Sequence, residues 1–229
     1  MKITLLSDSH TLHNKITSDL PGGDLICHGG DSTSMGREKE ILDFCKWYDG
    51  LNYTHKVFIA GNHDWGFQNN VENINKILDE HKGISYLQDN EMKIKVNDEP
   101  EIKIYGTPWQ PEFYNWAFNL PKNGPGLASK WADIPEDTDI LITHGPPFGK
   151  LDDVEGKRGI HLGCELLAER INEIKPKICI FGHIHTGYGH YFDGHTHFFN
   201  AAVLNENYYY SHLPFTFEWN PITNEIDWL

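Results

Sequence analysis

Five short apolar runs, each followed at once by histidine, aspartate or asparagine, constrain this 229-residue chain more than any other feature. Residues 3–6, 24–28, 56–60, 140–143 and 178–181 are crowded with β-branched and aromatic side chains, so they read as buried strands. They deliver Ser7-Asp8-Ser9-His10, Gly30-Asp31, Gly61-Asn62-His63-Asp64, His144-Gly145-Pro146-Pro147 and Gly182-His183-Ile184-His185. In open α/β sheets, ligands bind beyond the carboxyl ends of the strands. One such ending is an ordinary turn or helix cap. Five endings rich in His and Asp, with no Lys or Arg, are more than punctuation.

The segments between the runs have helical spacing. Ile41, Leu42, Phe44, Cys45 and Tyr48 predict a helix over 37–49, with Gly50 as its stop. Val71, Ile74, Ile77 and Leu78 predict a second, and Leu166, Leu167, Ile171 and Ile174 another before Pro176. Strand–helix alternation of this kind is the signature of a layered α/β architecture. Residues 91–96 and 102–105 alternate about Asn97-Asp98-Glu99-Pro100, which suits an antiparallel hairpin. Phe198, Phe199, Phe215, Phe217 and Trp219 continue in short strand-like runs towards Leu229. No linker, repeat or low-complexity stretch interrupts the chain, so one domain over 1–229 is expected. The loop carrying Trp109, Phe113, Tyr114, Trp116 and Phe118 is expected to divide its rings between core and the mouth of a site. The polar segment 149–161 offers Lys150, Lys157 and Arg158 as cations that could steer an anion, and His161 near a motif block. His28 is expected to support the motif residues, and His195-Thr196-His197 to alternate along a strand face.

The formal charge of −14 argues against general binding of nucleic-acid backbone, which needs a basic surface. It leaves a phosphate substrate open, because bound divalent cations invert the local field. Cys27, Cys45, Cys164 and Cys179 form no CxxC pair, and Cys27 and Cys179 sit in apolar runs, which favours a reducing compartment. Met1 leads straight into a strand and no apolar run approaches a membrane span, so the chain reads as cytoplasmic with no membrane partner. A homo-oligomer stays open.

The residues just past the strands are Asp8, His10, Asp31, Asn62, His63, Asp64, His144, His183 and His185. Asp8 and His10, and likewise His183 and His185, are two apart and can share a side of an extended chain. Imidazole with carboxylate suits Zn, Mn or Fe. Seven ligands over-supply one ion, so two divalent ions are the economical count. A two-metal site, with ions ~3.5–4 Å apart, generates a nucleophile and clamps phosphoryl oxygens.

With these blocks in this order, the sequence resembles the calcineurin-like metallophosphoesterases, and within them the small metallophosphodiesterase branch. Thr143-His144-Gly145-Pro146-Pro147, Gly163-Cys164-Glu165-Leu166-Leu167, Phe181-Gly182-His183-Ile184-His185-Thr186-Gly187-Tyr188-Gly189, Gly106-Thr107-Pro108-Trp109 and Trp116-Ala117-Phe118-Asn119-Leu120-Pro121 carry the closer likeness. The resemblance implies a layered α/β/β/α sandwich, two mixed sheets flanked by helices. It implies one metal on Asp8, His10, Asp31 and His185, and a second on Asp31, Asn62, His144 and His183. His63 would be a catalytic group rather than a ligand, and Asp64 would orient its imidazole. The implied reaction is in-line attack of a metal-bridging hydroxide on a small phosphodiester such as a cyclic nucleotide, with manganese the first metal to try. Substrate contacts are expected from Asn62, His144, Trp109 and His161. The alternatives are a DNA or RNA nuclease of the same fold and a non-catalytic scaffold.

Overall fold

The structure, a computed structural model, describes residues 1–97, 100–154 and 159–229. In chain order the elements are β1 (Lys2–Leu6), α1 (His13–Ile16), β2 (Gly23–His28), α2 (Glu38–Asp49), β3 (Tyr53–Phe58), α3 (Gly66–Asn69) and α4 (Val71–Glu80). Then come β4 (Ser85–Tyr86), β5 (Asn90–Ile94), β6 (Ile102–Thr107), β7 (Gln110–Pro111), β8 (Asn119–Leu120), α5 (Pro125–Ala132) and β9 (Ile140–Thr143). The chain closes with α6 (Glu165–Ile174), β10 (Ile178–Phe181), β11 (Gly189–Phe192), β12 (His197–Asn200), β13 (Phe215–Trp219) and β14 (Ile226–Trp228).

The strands form two six-stranded mixed sheets, ordered β14-β13-β1-β2-β3-β4 and β11-β12-β10-β9-β6-β5, with β7 and β8 paired separately. Strands β1 to β4 run parallel, as do β6, β9, β10 and β12, while the outer strands β13, β14, β5 and β11 pair antiparallel. Alternation along each strand decides which layer a side chain joins. Ile3, Leu5, Leu25, Cys27, Val57 and Ile59 meet Ile104, Ile140, Ile142, Ile178, Ile180 and Phe199 between the sheets. On one outer face, Leu6, Ile26 and Phe58 pack on Ile41, Phe44, Tyr48, Ile74 and Ile77 from α2 and α4. On the other, Tyr105, Leu141, Cys179 and Phe198 pack on Leu127, Trp131, Leu167 and Ile171 from α5 and α6. The result is the expected α/β/β/α sandwich. Each fully buried side chain such as Phe44 contributes roughly 1.5–3 kcal/mol of transfer free energy.

Local chemistry sets the boundaries. Helix α2 follows an extended Arg37, and the Glu40 carboxylate accepts from the Arg37 and Met35 N–H groups at 3.2 and 3.0 Å, satisfying donors before the first turn. Strand β3 runs over Tyr53–Phe58 rather than 56–60: Ile59 and Ala60 are buried, but only the Ile59 N–H still reaches across, to the His28 carbonyl at 3.2 Å. The hairpin β5–β6 is antiparallel as expected, though Asp98 and Glu99 of its turn lie outside the described residues. His195 and Thr196 are not on a strand face. Both N–H groups are drawn into a turn by Asp193 Oδ1 at 2.9 Å, and β12 begins at His197. The four cysteines are buried free thiols. No helix among the described residues is long and apolar enough to cross a membrane.

Candidate metal centre

Because the parallel strands of both sheets run the same way, the loops after β1, β2, β3, β9 and β10 arrive at one edge. Backbone hydrogen bonds lace them together: Asp8 N–H donates to Gly30 O at 2.9 Å, His10 N–H to Asp31 O at 3.0 Å, and Gly182 N–H to His144 O at 2.9 Å. Each key carboxylate is aimed by a neighbouring loop. His183 N–H donates to Asp8 Oδ1 at 3.0 Å, and His63 N–H to Asp31 Oδ1 at 2.8 Å. The approach is close enough that only glycine fits beside the carboxylates: a Cβ on Gly182 would collide with Asp8 Oδ2, and one on Gly61 with Asp31 Oδ1. Asp8, His10, Asp31 and His183 hold positive φ of 54°, 38°, 54° and 65°. A non-glycine residue in that region costs on the order of 1–3 kcal/mol, and such strain persists where packing over-determines a functional geometry.

The side chains converge. His185 Nε2 lies 3.2 Å from Asp8 Oδ1, and His10 Nε2 lies 3.7 Å from Asp31 Oδ2 and 4.0 Å from Asp8 Oδ1. His144 Nε2 lies 3.3 Å from Asp31 Oδ2 and 2.9 Å from Asn62 Oδ1. Three donor sets, Asp8–His10–His185, His10–Asp31–His63 and Asp31–His144–His183, each bring their ligand atoms within 4.8 Å of one another. Asp31 joins the last two sets and His10 the first two. His10 is 5 % exposed, yet neither ring nitrogen has a hydrogen-bond partner. A buried imidazole nitrogen left unpaired costs about 1–3 kcal/mol, a penalty that a cation held with Asp8 and Asp31 would remove at Nε2, the nitrogen that faces them. The donor set and this orphaned ring fit divalent metal.

The supporting atoms fix the imidazoles, as in metal sites generally. His144 Nδ1 donates to Gly29 O at 3.0 Å, and His185 Nδ1 to Asn205 O at 2.9 Å, leaving both Nε2 atoms facing the carboxylates. Burial depresses His10 to about 4 and His183 to about 3, against the pull of Asp31 and Asp8. Burial is the largest single effect on His144 and His185 and acts to lower both, but in the metal-free protein the charges of Asp31 and Asp8 and the hydrogen bonds each ring donates together outweigh it and hold both at about 9. The same pairings overcome burial of the carboxylates and keep Asp8 and Asp31 below the usual range. His28 bridges two of the loops, with Nε2 3.0 Å from Ser9 Oγ and Nδ1 accepting from Gly30 N–H at 3.3 Å.

His63 comes to the centre from the loop after β3. Its Nδ1 donates to Ser34 O at 2.8 Å, and its ring stacks on Trp116 with centroids 4.1 Å apart. Asp64 does not orient it, contrary to expectation. The buried Asp64 carboxylate accepts from Gly61 N–H at 2.8 Å, from Ser32 N–H and Oγ–H at 3.2 Å each, and from Thr33 N–H and Oγ1–H at 2.9 and 2.6 Å. Consecutive side chains on a turn point apart, so Asp64 ties the loops after β2 and β3 together while a carbonyl holds the imidazole. Burial and the Asp31 charge push Asp64 up to about 6.

Two further residues expected at the substrate, Trp109 and His161, have partners outside the donor sets. Trp109 donates Nε1–H to Asp89 at 2.8 Å, lies under Lys130 and packs among core residues. His161 is held by the buried Asp152 at 2.7 Å and packs on Phe148. Lys150 sits over Tyr191 and Phe198 beside Asp193 rather than at the centre, and Lys157 and Arg158 lie outside the described residues. The rings that do border the centre are Trp116, Phe113, 5.1 Å from His183, and Tyr208, 4.9 Å from His10. Tyr208 belongs to no strand-end motif, and nothing in its sequence neighbourhood marks it.

Fold and site together define a layered α/β protein whose strand-end loops assemble a His/Asp/Asn centre suited to metal. The sequence profile of the calcineurin-like phosphoesterases matches residues 1–187, and the chain belongs to that family. It is 38 % identical over 231 residues to the human metallophosphoesterase domain-containing protein 1, covering 90 % of this chain and 67 % of that protein. The fold is shared with the protein TT1561 of Thermus thermophilus at a TM-score of 0.65 and 13 % identity, covering 99 % of this chain and 96 % of the other. A phosphopantetheinyl hydrolase from Mycobacterium tuberculosis matches at a TM-score of 0.63 and 14 % identity, covering 90 % of each. Family and clustered donors make this a metal-dependent phosphoesterase.

Proposed function

We propose that the chain hydrolyses a small phosphodiester, a cyclic nucleotide or a compound of similar size, with two divalent ions drawn from Mn, Fe and Zn. The observation that carries the reading is the convergence of Asp8, His10, Asp31, Asn62, His144, His183 and His185 in overlapping donor sets, among them a buried His10 whose nitrogens have no hydrogen-bond partner. Asp8, His10, Asp31 and His185 would hold one ion, and Asp31, Asn62, His144 and His183 the other, with Asp31 between them. When bound, the ions supply Lewis-acid charge to the phosphoryl group and activate water.

The protein's own groups do the rest. Ser34 O fixes the proton of His63 on Nδ1, so Nε2 is the atom free to meet substrate. In the imidazolium form Nε2–H donates to the departing oxygen as its bond to phosphorus breaks. Trp116 keeps that ring from rotating. Phe113, Trp116 and Tyr208 give the rim flat apolar surface. Among the described residues no Lys or Arg pairs with Asp8, Asp31 or Asp64. A single phosphoryl group on an organic moiety suits such a rim better than a polyphosphate or a long polynucleotide, which need several cations. Hydrolysis of bis-p-nitrophenyl phosphate and 2′,3′-cyclic nucleotides, compared with phosphomonoesters, with and without Mn²⁺, tests the reading. Turnover of the diesters is expected only with metal. Folded protein inert towards every ester with every metal would remove it, and preference for monoesters would remove the diester assignment.

A further inference from the structure

Beyond β12 the chain makes a tight turn that none of the strand-end motifs includes. Asn205 organises it: its carbonyl accepts from Tyr208 N–H at 2.9 Å, and its side-chain oxygen accepts from the N–H groups of Asn207 and Tyr209 at 3.0 Å each. The Asn205 amide donates to Ser211 Oγ at 3.0 Å, and Leu204 bridges to Tyr210. The same Asn205 carbonyl receives His185 Nδ1–H at 2.9 Å. A ligand histidine and the turn are therefore registered to one another through a single atom.

The turn holds Tyr208 at a φ of 60°. That conformation is uncommon for a bulky residue and unfavourable by roughly 1–2 kcal/mol. It carries the ring over the centre, with centroids 4.9 Å from His10, 5.3 Å from His185 and 6.4 Å from His63. Tyr208 remains 49 % exposed, so the conformation does not serve to fill the core. Among the described residues its hydroxyl has no hydrogen-bond partner.

We infer that Tyr208 is a catalytic residue whose hydroxyl donates a hydrogen bond to a non-bridging phosphoryl oxygen of the substrate. This rests on the phosphoester reading above and adds to it a neutral donor in a site where, among the described residues, no Lys or Arg pairs with Asp8 or Asp31. His63 and Tyr208 flank His10, which places them to meet two different oxygens of one phosphoryl group: the departing one at His63 and an equatorial one at Tyr208. An equatorial oxygen gains charge as the nucleophile adds, so the bond strengthens on the way to the transition state.

The test compares full-length, Mn²⁺-loaded wild type, Tyr208→Phe and Tyr208→Ala. It measures kcat and KM on bis-p-nitrophenyl phosphate, tungstate affinity by titration calorimetry, bound manganese and Tm. Removing only the hydroxyl in Tyr208→Phe is expected to lower kcat/KM about 10- to 100-fold, the range for one hydrogen bond to a charged oxygen. Tungstate affinity should fall by a similar order while manganese content and Tm stay at wild-type values. Wild-type kinetics and tungstate binding in Tyr208→Phe, with loss only in Tyr208→Ala, would reduce the residue to an apolar cover and overturn the assignment. Loss of manganese in Tyr208→Phe would overturn it too, since the effect would then run through His185. If the wild type neither hydrolyses any ester nor binds tungstate, the phosphoester reading itself fails, and the Tyr208 assignment with it.

Discussion

Asp64→Ala separates the two roles that this carboxylate could have. The side chain is fully buried, and the groups it serves, Gly61, Ser32 and Thr33, are buried as well. Alanine leaves three backbone N–H groups, those of Gly61, Ser32 and Thr33, without their acceptor. The Ser32 and Thr33 hydroxyls can turn to other partners, whereas backbone donors cannot. An unsatisfied buried donor costs about 1–3 kcal/mol, and a water admitted to the vacated space would recover part of that for one or two of the three. A net loss of about 3 kcal/mol follows, which for a domain of this size lowers Tm by about 6–12 °C. Asp64→Asn should fall between, because its amide must set NH₂ against at least one of the same N–H groups. The loops after β2 and β3 carry Asp31 and Asn62, so metal affinity should drop together with Tm. Calorimetry and metal titration of metal-free protein read both quantities. If Asp64→Ala kept wild-type Tm and metal affinity and lost only kcat, the carboxylate would be serving the His63 imidazole after all, and the reasoning from its five hydrogen bonds would be wrong.

His63→Ala should lose turnover by about 10²–10⁴-fold, the usual contribution of a general acid, while bound metal stays close to wild type; Asp31→Ala should lose the metal. His63 lies in one of the candidate ligand sets, so a comparable fall in metal content in His63→Ala would make it a ligand. Metal loading should also release protons. His144 and His185 are held at about 9 in the metal-free protein, so at pH 7 both rings carry protons that ligation must displace. Titration of Mn²⁺ in buffers of different ionisation enthalpy should report about two protons per chain, and an apparent heat independent of buffer would contradict the pairing. Since both folded values are raised, the two pairs stabilise the metal-free form fully below about pH 6.5, and that stabilisation is lost as pH rises through about 9.

The sequence by itself determined the layers and most of the donor inventory. Period-two alternation in runs such as residues 3–6, and helical spacing in Ile41, Phe44, Cys45 and Tyr48, are local consequences of backbone geometry, so they are visible without the fold. The same holds for a polar residue placed directly after a buried strand. Strand β3 shifted because pairing with β2 begins at Tyr53, upstream of the apolar run, and pairing is a property of two strands. Side-chain direction at the turns was decided by the assembled loops. Adjacent in sequence, His63 and Asp64 part company, one to Ser34 and Trp116 and the other to Ser32, Thr33 and Gly61. Trp109 and Trp116 share one aromatic segment, yet the first is drawn to Asp89 and the second to His63, because partners from distant elements select among chemically equal rings. Tyr208 depended on tertiary structure altogether. Its place over His10 is produced by a carbonyl 20 residues from His185 in the chain, and no local pattern encodes a contact between segments that only the folded sheets bring together.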